Sequence, residues 1–170
     1  MMNIGRREQI EDSEDAAPVE MLAQLFEAHG WPCEFVNEDE ICGEIQGSWA
    51  TYQVRGIWRA EDQVLQLLCL PEIRVPEAKR KPAWELLALV NEQLWLGHFD
   101  LWQAEGIIMY RNALLLTEGM EAGTGQLEAM LGAAVDSCER YYQGFQFVIW
   151  AGKSPEEALA AVLFETHGEA

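Results

Sequence analysis

The segment from Leu127 to Ile149 constrains the fold of this 170-residue chain more than any other. Apolar residues recur along it at intervals of three and four, the spacing that places side chains on one face of an α-helix. The pattern predicts one amphipathic helix of roughly seven turns. Its last turns carry the sequence YYQGFQFVIW, which is more aromatic than a small domain requires.

A further helix is predicted directly after this one. Gly152 ends the long helix, and Ser154 is a candidate N-cap for the next. Pro155 suits the first helical position, and Glu157 completes a capping box with Ser154. The last helix is therefore expected from about Pro155 to Thr166.

Six short segments earlier in the chain have the character of β-strands. Several alternate between apolar and polar residues, and turn residues separate them. The fourth, QVLQLLCL, is apolar on both faces, which is typical of a central strand. The others are PCEFV, EICGEIQ, WATYQVRGIWR, HFDLWQ and IIMYRNALLL.

Two more helices complete the predicted order of elements. The first runs from Pro18 to a stop at Gly30. The other begins at Pro76 or Pro82 and ends at Leu94. The resulting order, α-β-β-β-β-α-β-β-α-α, predicts an α+β fold in which helices pack on an antiparallel sheet.

The domain organisation follows from composition and from the absence of an internal linker. Residues 1–17 are polar, acidic and aperiodic, which predicts a disordered tail. Residues 18–151 are expected to form a single α+β domain, and residues 152–170 the capped C-terminal helix.

The net charge of -18 restricts the partners of this chain. Binding to duplex DNA or RNA depends on Lys and Arg that neutralise phosphates, and binding to anionic membranes depends on the same residues. We therefore expect neither nucleic acid nor a membrane surface as a partner. The charge either keeps the protein soluble or steers it towards basic partners.

The N-terminal sequence and the cysteines indicate the compartment. The first residues contain no apolar segment of the kind found in export signals, so we expect a cytoplasmic protein. Cys33, Cys42, Cys69 and Cys138 form no C-x-x-C pair and no zinc-ligand spacing with histidine. They are interpreted as reduced core residues, with a Cys33–Cys42 bridge across a hairpin as the alternative.

One histidine lies where it suggests chemistry. His98 and Asp100 are two residues apart on a predicted strand, so they share one face and resemble a base with its orienting carboxylate. No recognisable nucleophile accompanies them. The alternative is a structural His98 that hydrogen-bonds the turn between helix and strand. We therefore expect no catalytic, metal or cofactor site.

Aromatic residues away from the main core face indicate a second buried surface. Such a surface is either an interface with another chain or a surface covered by the long helix within one chain. The candidate interface residues are Trp49, Trp84, Trp95, Trp102, Tyr141 and Tyr142.

A basic cluster interrupts an otherwise acidic sequence. Arg74, Lys79, Arg80 and Lys81 lie together in IRVPEAKRKP, which makes this segment the candidate anion site. The alternative is a loop and first helical turn whose charges are solvated or pair with acids of the same chain.

Three segments carry a resemblance to a known family. NEQLWLGHF, RYY and GKSPEEA, with the long helix between them, resemble the YbjN-domain family. The resemblance implies a curved antiparallel sheet of about five to six strands with helices, similar to type III secretion chaperones and often found as a homodimer. It implies a role as a regulator of bacterial sensory transduction. The family defines no catalytic residues that could be carried over.

These observations lead to three functional hypotheses. The first is a non-enzymatic, cytoplasmic, homodimeric module that binds a protein partner as a regulatory or chaperone-like adaptor. The second is a sensor domain that binds a small molecule or an anion. The third is an enzyme that uses His98 and Asp100. No cofactor is expected in the first.

Overall fold

The computed structural model describes residues 17–167, and it contains four α-helices and six β-strands within that range. The helices are α1 Pro18–His29, α2 Arg80–Asn91, α3 Thr124–Ile149 and α4 Pro155–His167. The strands are β1 Cys33–Asn37, β2 Glu40–Gln46, β3 Thr51–Arg59, β4 Val64–Leu70, β5 His98–Trp102 and β6 Ile107–Leu115.

The strands form one antiparallel sheet in the order β1-β2-β3-β4-β6-β5. The predicted α+β class, the order of elements and the antiparallel sheet are therefore confirmed. Strand β4, apolar on both faces, lies between β3 and β6, as predicted for a central strand. The predicted tail of residues 1–17 lies, apart from Ala17, outside the described residues.

One face of the sheet carries the core. The β3 side chains alternate in burial, and Tyr52 and Val54 point into the core while Gln53 is exposed. Gly56 lies on the core side, where a Cβ atom would overlap the Leu22 side chain of α1. The missing side chain therefore lets α1 approach the sheet closely.

The long helix α3 lies on the same face and matches its predicted length. Cys138 of α3 meets Cys69 of β4, with 3.6 Å between their Sγ atoms. A hydrogen bond with Cys69, followed by burial, raises the pKa of the Cys138 thiol well above its ordinary value.

The alternative of a disulfide bridge between Cys33 and Cys42 is wrong. Cys33 opposes Gly43 in the ladder, so the Cys33 and Cys42 side chains point to opposite faces of the sheet.

Helix α4 begins with the predicted capping box. The Glu157 backbone N–H donates to Ser154 Oγ over 3.2 Å, and the Ser154 N–H donates to the Glu157 carboxylate over 3.1 Å. The helix packs against α3 and α2 rather than on the sheet. A Cβ atom at Gly144 of α3 would lie 3.4 Å from Val162 of α4, so the two helices are close at this point.

Helix α2 begins between the two predicted starts, Pro76 and Pro82, and it ends earlier than predicted. A 3-10 turn, Glu77–Lys79, precedes it, and Pro82 falls in its first turn, where proline is tolerated. The helix ends at Asn91 instead of Leu94. The N–H of Leu94 bonds the Asn91 carbonyl three residues back, so the chain turns instead of continuing the helix.

Candidate functional site

The second face of the sheet is covered by no helix within residues 17–167, and we call it the open face. Alternate residues of β2 to β6 form it, because their neighbours on the same strands point into the core. They are Glu40, Cys42, Glu44, Gln53, Arg55, Ile57, Arg59, Val64, Gln66, Leu68, Leu70, His98, Asp100, Trp102, Ile107, Met109, Arg111, Ala113 and Leu115.

The centre of the open face is apolar. Leu68 and Met109 are only 8% and 6% exposed, although no helix covers this face within the described residues. Ile57 lies beside them on β3, and Trp102 of β5 is 50% exposed. Leu115 of β6 is also exposed, and exposed apolar side chains on a sheet face can mark a binding surface.

Two arginines flank the apolar centre. Arg55 and Arg111 both oppose Leu68 in the ladder, one from β3 and one from β6. Arg55 Nε donates to a Glu40 carboxylate oxygen over 2.7 Å, and Arg111 Nη1 lies 3.2 Å from Asp100. Each guanidinium therefore has one carboxylate neighbour, and the positive charge on this face is held in place.

Strand β2 makes one side of the open face acidic. Glu40 and Glu44 flank Cys42, and Glu34 of β1 opposes it. Burial is the main cause that raises the pKa of the Cys42 thiol, Arg55 opposes this rise, and the three glutamates add to it. Glu44 has no ion pair within the described residues, so no basic side chain there neutralises its charge.

A shallow groove of about 380 Å³ lies between the two arginines. Leu68 and Met109 form its floor, and Trp102 lies at one end. Its size and its mixture of apolar floor and cationic sides match those of small-ligand sites. The groove is therefore a second candidate for an anion site besides the basic cluster, although the Asp100 carboxylate also lines it.

Trp150 borders the open face and was missed by the sequence analysis. It is the first residue after α3, and it lies next to Leu70 and Ile107 at one end of the sheet. Ile107 opposes Trp102 in the ladder, so the two tryptophans lie at the same end. The aromatic composition of the final turns of α3 was the only sequence signal for this position.

Of the six aromatic candidates for an interface, only Trp102 lies on the open face. Trp49 lies in the turn between β2 and β3, so its placement on a strand was wrong. Tyr141 is buried in the core on α3, and Trp95 is 99% exposed in the loop after α2. The remaining two are Trp84, exposed on α2, and Tyr142, half-buried on α3.

The basic cluster is divided by the fold. Arg80 Nη1 donates to the Gln103 carbonyl oxygen over 2.8 Å, which fixes this side chain against the β5–β6 turn. Arg74 is exposed and lies near Trp150, at the border of the open face. Lys79 is half-buried in the 3-10 turn, and Lys81 is exposed on α2. The four basic side chains therefore do not form one anion site: Arg80 holds the β5–β6 turn, and Arg74 lies at the border of the open face.

His98 and Asp100 share the open face, as their spacing predicts. One Asp100 oxygen lies near Arg111, and the other accepts the backbone N–H of Leu101 over 2.8 Å. The carboxylate is thus held by groups other than His98. This arrangement does not orient the imidazole as a base.

The junction between α2 and β5 is held by Asn91, not by His98. The Asn91 side chain donates to the Phe99 carbonyl over 3.0 Å and accepts the Phe99 N–H over 2.7 Å. Tyr110 Oη donates to the Leu96 carbonyl over 2.8 Å. The expected hydrogen bond from His98 to this turn is wrong, because these two side chains supply the bonds.

Metal-ligand clusters and membrane-spanning helices are both absent from the described part of the chain. Between residues 17 and 167, no group of three His, Cys, Asp or Glu side chains is arranged to hold a metal ion. None of the helices described has both the length and the apolar character needed to cross a bilayer.

Comparisons with known proteins place these observations in a family. No curated protein matches the sequence. The crystal structure of YbjN from E. coli, described as "a putative transcription regulator", shares the fold with a TM-score of 0.52. The likeness covers 72% of this chain and 87% of that chain at 10% identity. The YbjN family model, described as "Putative bacterial sensory transduction regulator", matches residues 18–147. The chain therefore belongs to the YbjN family.

Proposed function

We propose that this protein is a non-enzymatic regulatory module that acts by binding protein on the open face of its sheet. The observation that carries this proposal is a sheet face that no helix covers within the described residues and that exposes the apolar side chains of Trp102 and Leu115. Antiparallel sheets often leave one face to solvent, but that face is then usually polar. Exposed apolar side chains on a face without a covering layer favour a second protein as its cover.

Family membership and charge support the same proposal. The family is described as a regulator, and the E. coli relative as a regulator of transcription. With a net charge of -18, this chain is poorly suited to contact DNA phosphates itself. Regulation through contacts with other proteins avoids this electrostatic cost. The four free cysteines suit the reducing cytoplasm, where we propose that the module works.

The groove between Arg55 and Arg111 favours a second candidate function, a sensor that binds a small anion. A ligand with a carboxylate or phosphate and an apolar part would match the two guanidinium groups and the Leu68 floor. A thermal-shift screen with such metabolites tests this candidate. A stabilising metabolite whose effect disappears in Arg55→Gln would favour the sensor over the protein-binding module.

A comparison of tagged variants purified from the native host tests the proposed function. The open-face variant combines Trp102→Ala with Leu115→Ser, which removes two exposed apolar side chains. The matched control combines Trp84→Ala with Phe164→Ser, which removes two exposed apolar side chains from the helices α2 and α4. Both variants are expected to melt within a few degrees of wild type, because exposed substitutions change stability little.

We expect proteins recovered with the wild type and with the control to be lost with the open-face variant. An unchanged set of recovered proteins for the open-face variant contradicts the proposal. A loss that occurs only with the control would place the binding surface on the helices instead.

A further inference from the structure

We propose that a cleft at the border of the open face binds a small zwitterion, an α-amino acid with an apolar side chain. The cleft has a volume of about 510 Å³, within the usual range for small-ligand sites. It shares no lining residue with the groove between Arg55 and Arg111, so it is a separate site. We call it the Trp150 cleft, and its lining residues are Gln53, Leu70, Glu72, Arg74, Ile107 and Trp150.

The Trp150 cleft contains one charge of each sign. Glu72 and Arg74 are both exposed, and neither forms an ion pair among the described residues. The two charges are therefore not held by each other, although a single residue separates them in sequence. A ligand with a carboxylate and an ammonium group matches both, with its carboxylate on the Arg74 guanidinium and its ammonium group on the Glu72 carboxylate.

Backbone contacts with β6 hold the segment that carries Arg74. Arg74 forms a β-bridge with Ile107, and the Ile108 N–H donates to the Ile73 carbonyl oxygen over 3.1 Å. Ile73 and Val75 are buried on either side of Arg74, so the Arg74 side chain projects away from the core. A fixed backbone at this position lowers the entropy that is lost when a ligand binds.

The backbone of Glu72 is strained. Its φ is +58°, a left-handed conformation that residues with a side chain rarely adopt. Among the described residues, Gln63 is the other non-glycine residue with a positive φ, and it lies in the β3–β4 turn, where such angles are common. Glu72 lies in no turn. Because strained residues cluster at ligand-binding sites, this conformation supports a binding role for Glu72.

Trp150 supplies an aromatic surface beside the two charges. It directly follows α3 and is 67% exposed. The face of an indole ring attracts an ammonium group and packs against apolar ligand atoms. Leu70 and Ile107 are half-buried in the same cleft and extend this apolar surface. The cleft therefore suits an α-amino acid whose side chain is apolar.

The net charge of -18 favours a zwitterion over a free anion. The field of an acidic protein repels small anions at long range, but it does not oppose the approach of a ligand without net charge. A simple cation is attracted by this field but meets the positive charge of Arg74 in the cleft. A neutral ligand that carries both charges is therefore compatible with the cleft and with the whole protein.

Binding of three related ligands to the full chain tests the proposal. L-phenylalanine carries both charged groups, phenethylamine lacks the carboxylate, and 3-phenylpropionate lacks the ammonium group. Wild type is expected to bind L-phenylalanine at least about tenfold more tightly than either analogue, because each analogue loses one charged contact. Isothermal titration calorimetry gives the dissociation constants. The NMR signal of the Trp150 indole N–H, identified by its absence in Trp150→Leu, is expected to shift as L-phenylalanine binds.

Two charge-neutral variants separate the contacts. Arg74→Gln is expected to weaken binding of L-phenylalanine by about tenfold without weakening that of phenethylamine, which has no carboxylate. Glu72→Gln is expected to weaken binding of L-phenylalanine by a similar factor without weakening that of 3-phenylpropionate. Arg55→Gln, in the neighbouring groove, is the matched control and is expected to bind L-phenylalanine like wild type. Circular dichroism melting verifies that each variant folds.

Three results overturn this inference. They are an unshifted Trp150 indole signal with millimolar L-phenylalanine or L-leucine, equal binding of L-phenylalanine and both analogues, and a loss of L-phenylalanine binding in Arg55→Gln but not in Arg74→Gln. The last result would place the ligand in the groove instead. The proposed function is tested separately, because neither Trp102 nor Leu115 of the open-face variant lines the Trp150 cleft.

Discussion

Gly97→Ala is expected to lower the free energy of unfolding by about 3 kcal/mol, through left-handed strain and overpacking together. Gly97 has a φ of +64°, a conformation that residues with a side chain rarely adopt. A Cβ atom there would overlap Tyr110 Oη and lie 2.7 Å from the Arg111 carbonyl oxygen. Tyr110 cannot move aside easily, because it is fully buried and its hydroxyl donates a hydrogen bond to the Leu96 carbonyl oxygen.

Gly30→Ala is the matched control for this prediction. Gly30 has a φ of +69°, and no atom lies within 4 Å of the position that a Cβ would take. It therefore carries the left-handed strain without the overlap, and we expect a cost of about 1 kcal/mol. Urea denaturation of both variants measures the difference. If Gly97→Ala and Gly30→Ala lowered the free energy of unfolding equally, the close packing around Gly97 between α2 and β5 would be wrong.

Phe99→Ala is expected to cost about 3–5 kcal/mol of unfolding free energy, as is usual for a large aromatic residue removed from a core. Phe99 is 2% exposed, although it lies on the edge strand β5. Its ring packs edge-on against Tyr110, Tyr141 and Phe145 at centroid distances of 5.6, 6.0 and 5.2 Å. The ring thus joins β5, β6 and α3.

Phe35→Ala is the matched control, because Phe35 lies on the opposite edge strand, β1. It is 52% exposed, and no aromatic ring contact involves it among the described residues. We expect a cost below about 1 kcal/mol, as for exposed positions in general. If Phe35→Ala and Phe99→Ala had equal effects on the denaturation midpoint, the core described around Phe99 would be wrong.

The elements of this fold follow from local sequence patterns. The period of three to four from Leu127 to Ile149 predicts α3, and Ser154 with Glu157 predicts the start of α4. Both features depend on residues within a few positions of each other, so a single sequence contains the necessary information. The same holds for the six strands and their alternation.

The open face could not be predicted, because it depends on strand order and register. The sequence places Trp102 on the second face of a strand but does not indicate whether a helix covers that face. The alignment of Arg55, Leu68 and Arg111 joins β3 and β4 to β6, which is distant from them in sequence. Such pairings are fixed by the whole sheet and not by any local pattern.

Asn91 shows a signal that was present but assigned to another residue. It lies on the apolar stripe of α2, where a polar side chain needs a partner when it is partly buried. The partner is the Phe99 backbone, eight residues later. His98 is the more reactive residue type at this junction, but the Asn91 side chain makes the hydrogen bonds.

Hydroxyl-radical footprinting of Trp102 tests most directly whether the open face binds protein. Trp95, which is 99% exposed, is the reference within the same molecule. We predict that Trp102 becomes protected as the protein concentration rises or when host lysate is added, while oxidation of Trp95 changes little. Oxidation of Trp102 at the same rate relative to Trp95, in dilute protein, in concentrated protein and in lysate, would contradict the open face as a protein-binding surface.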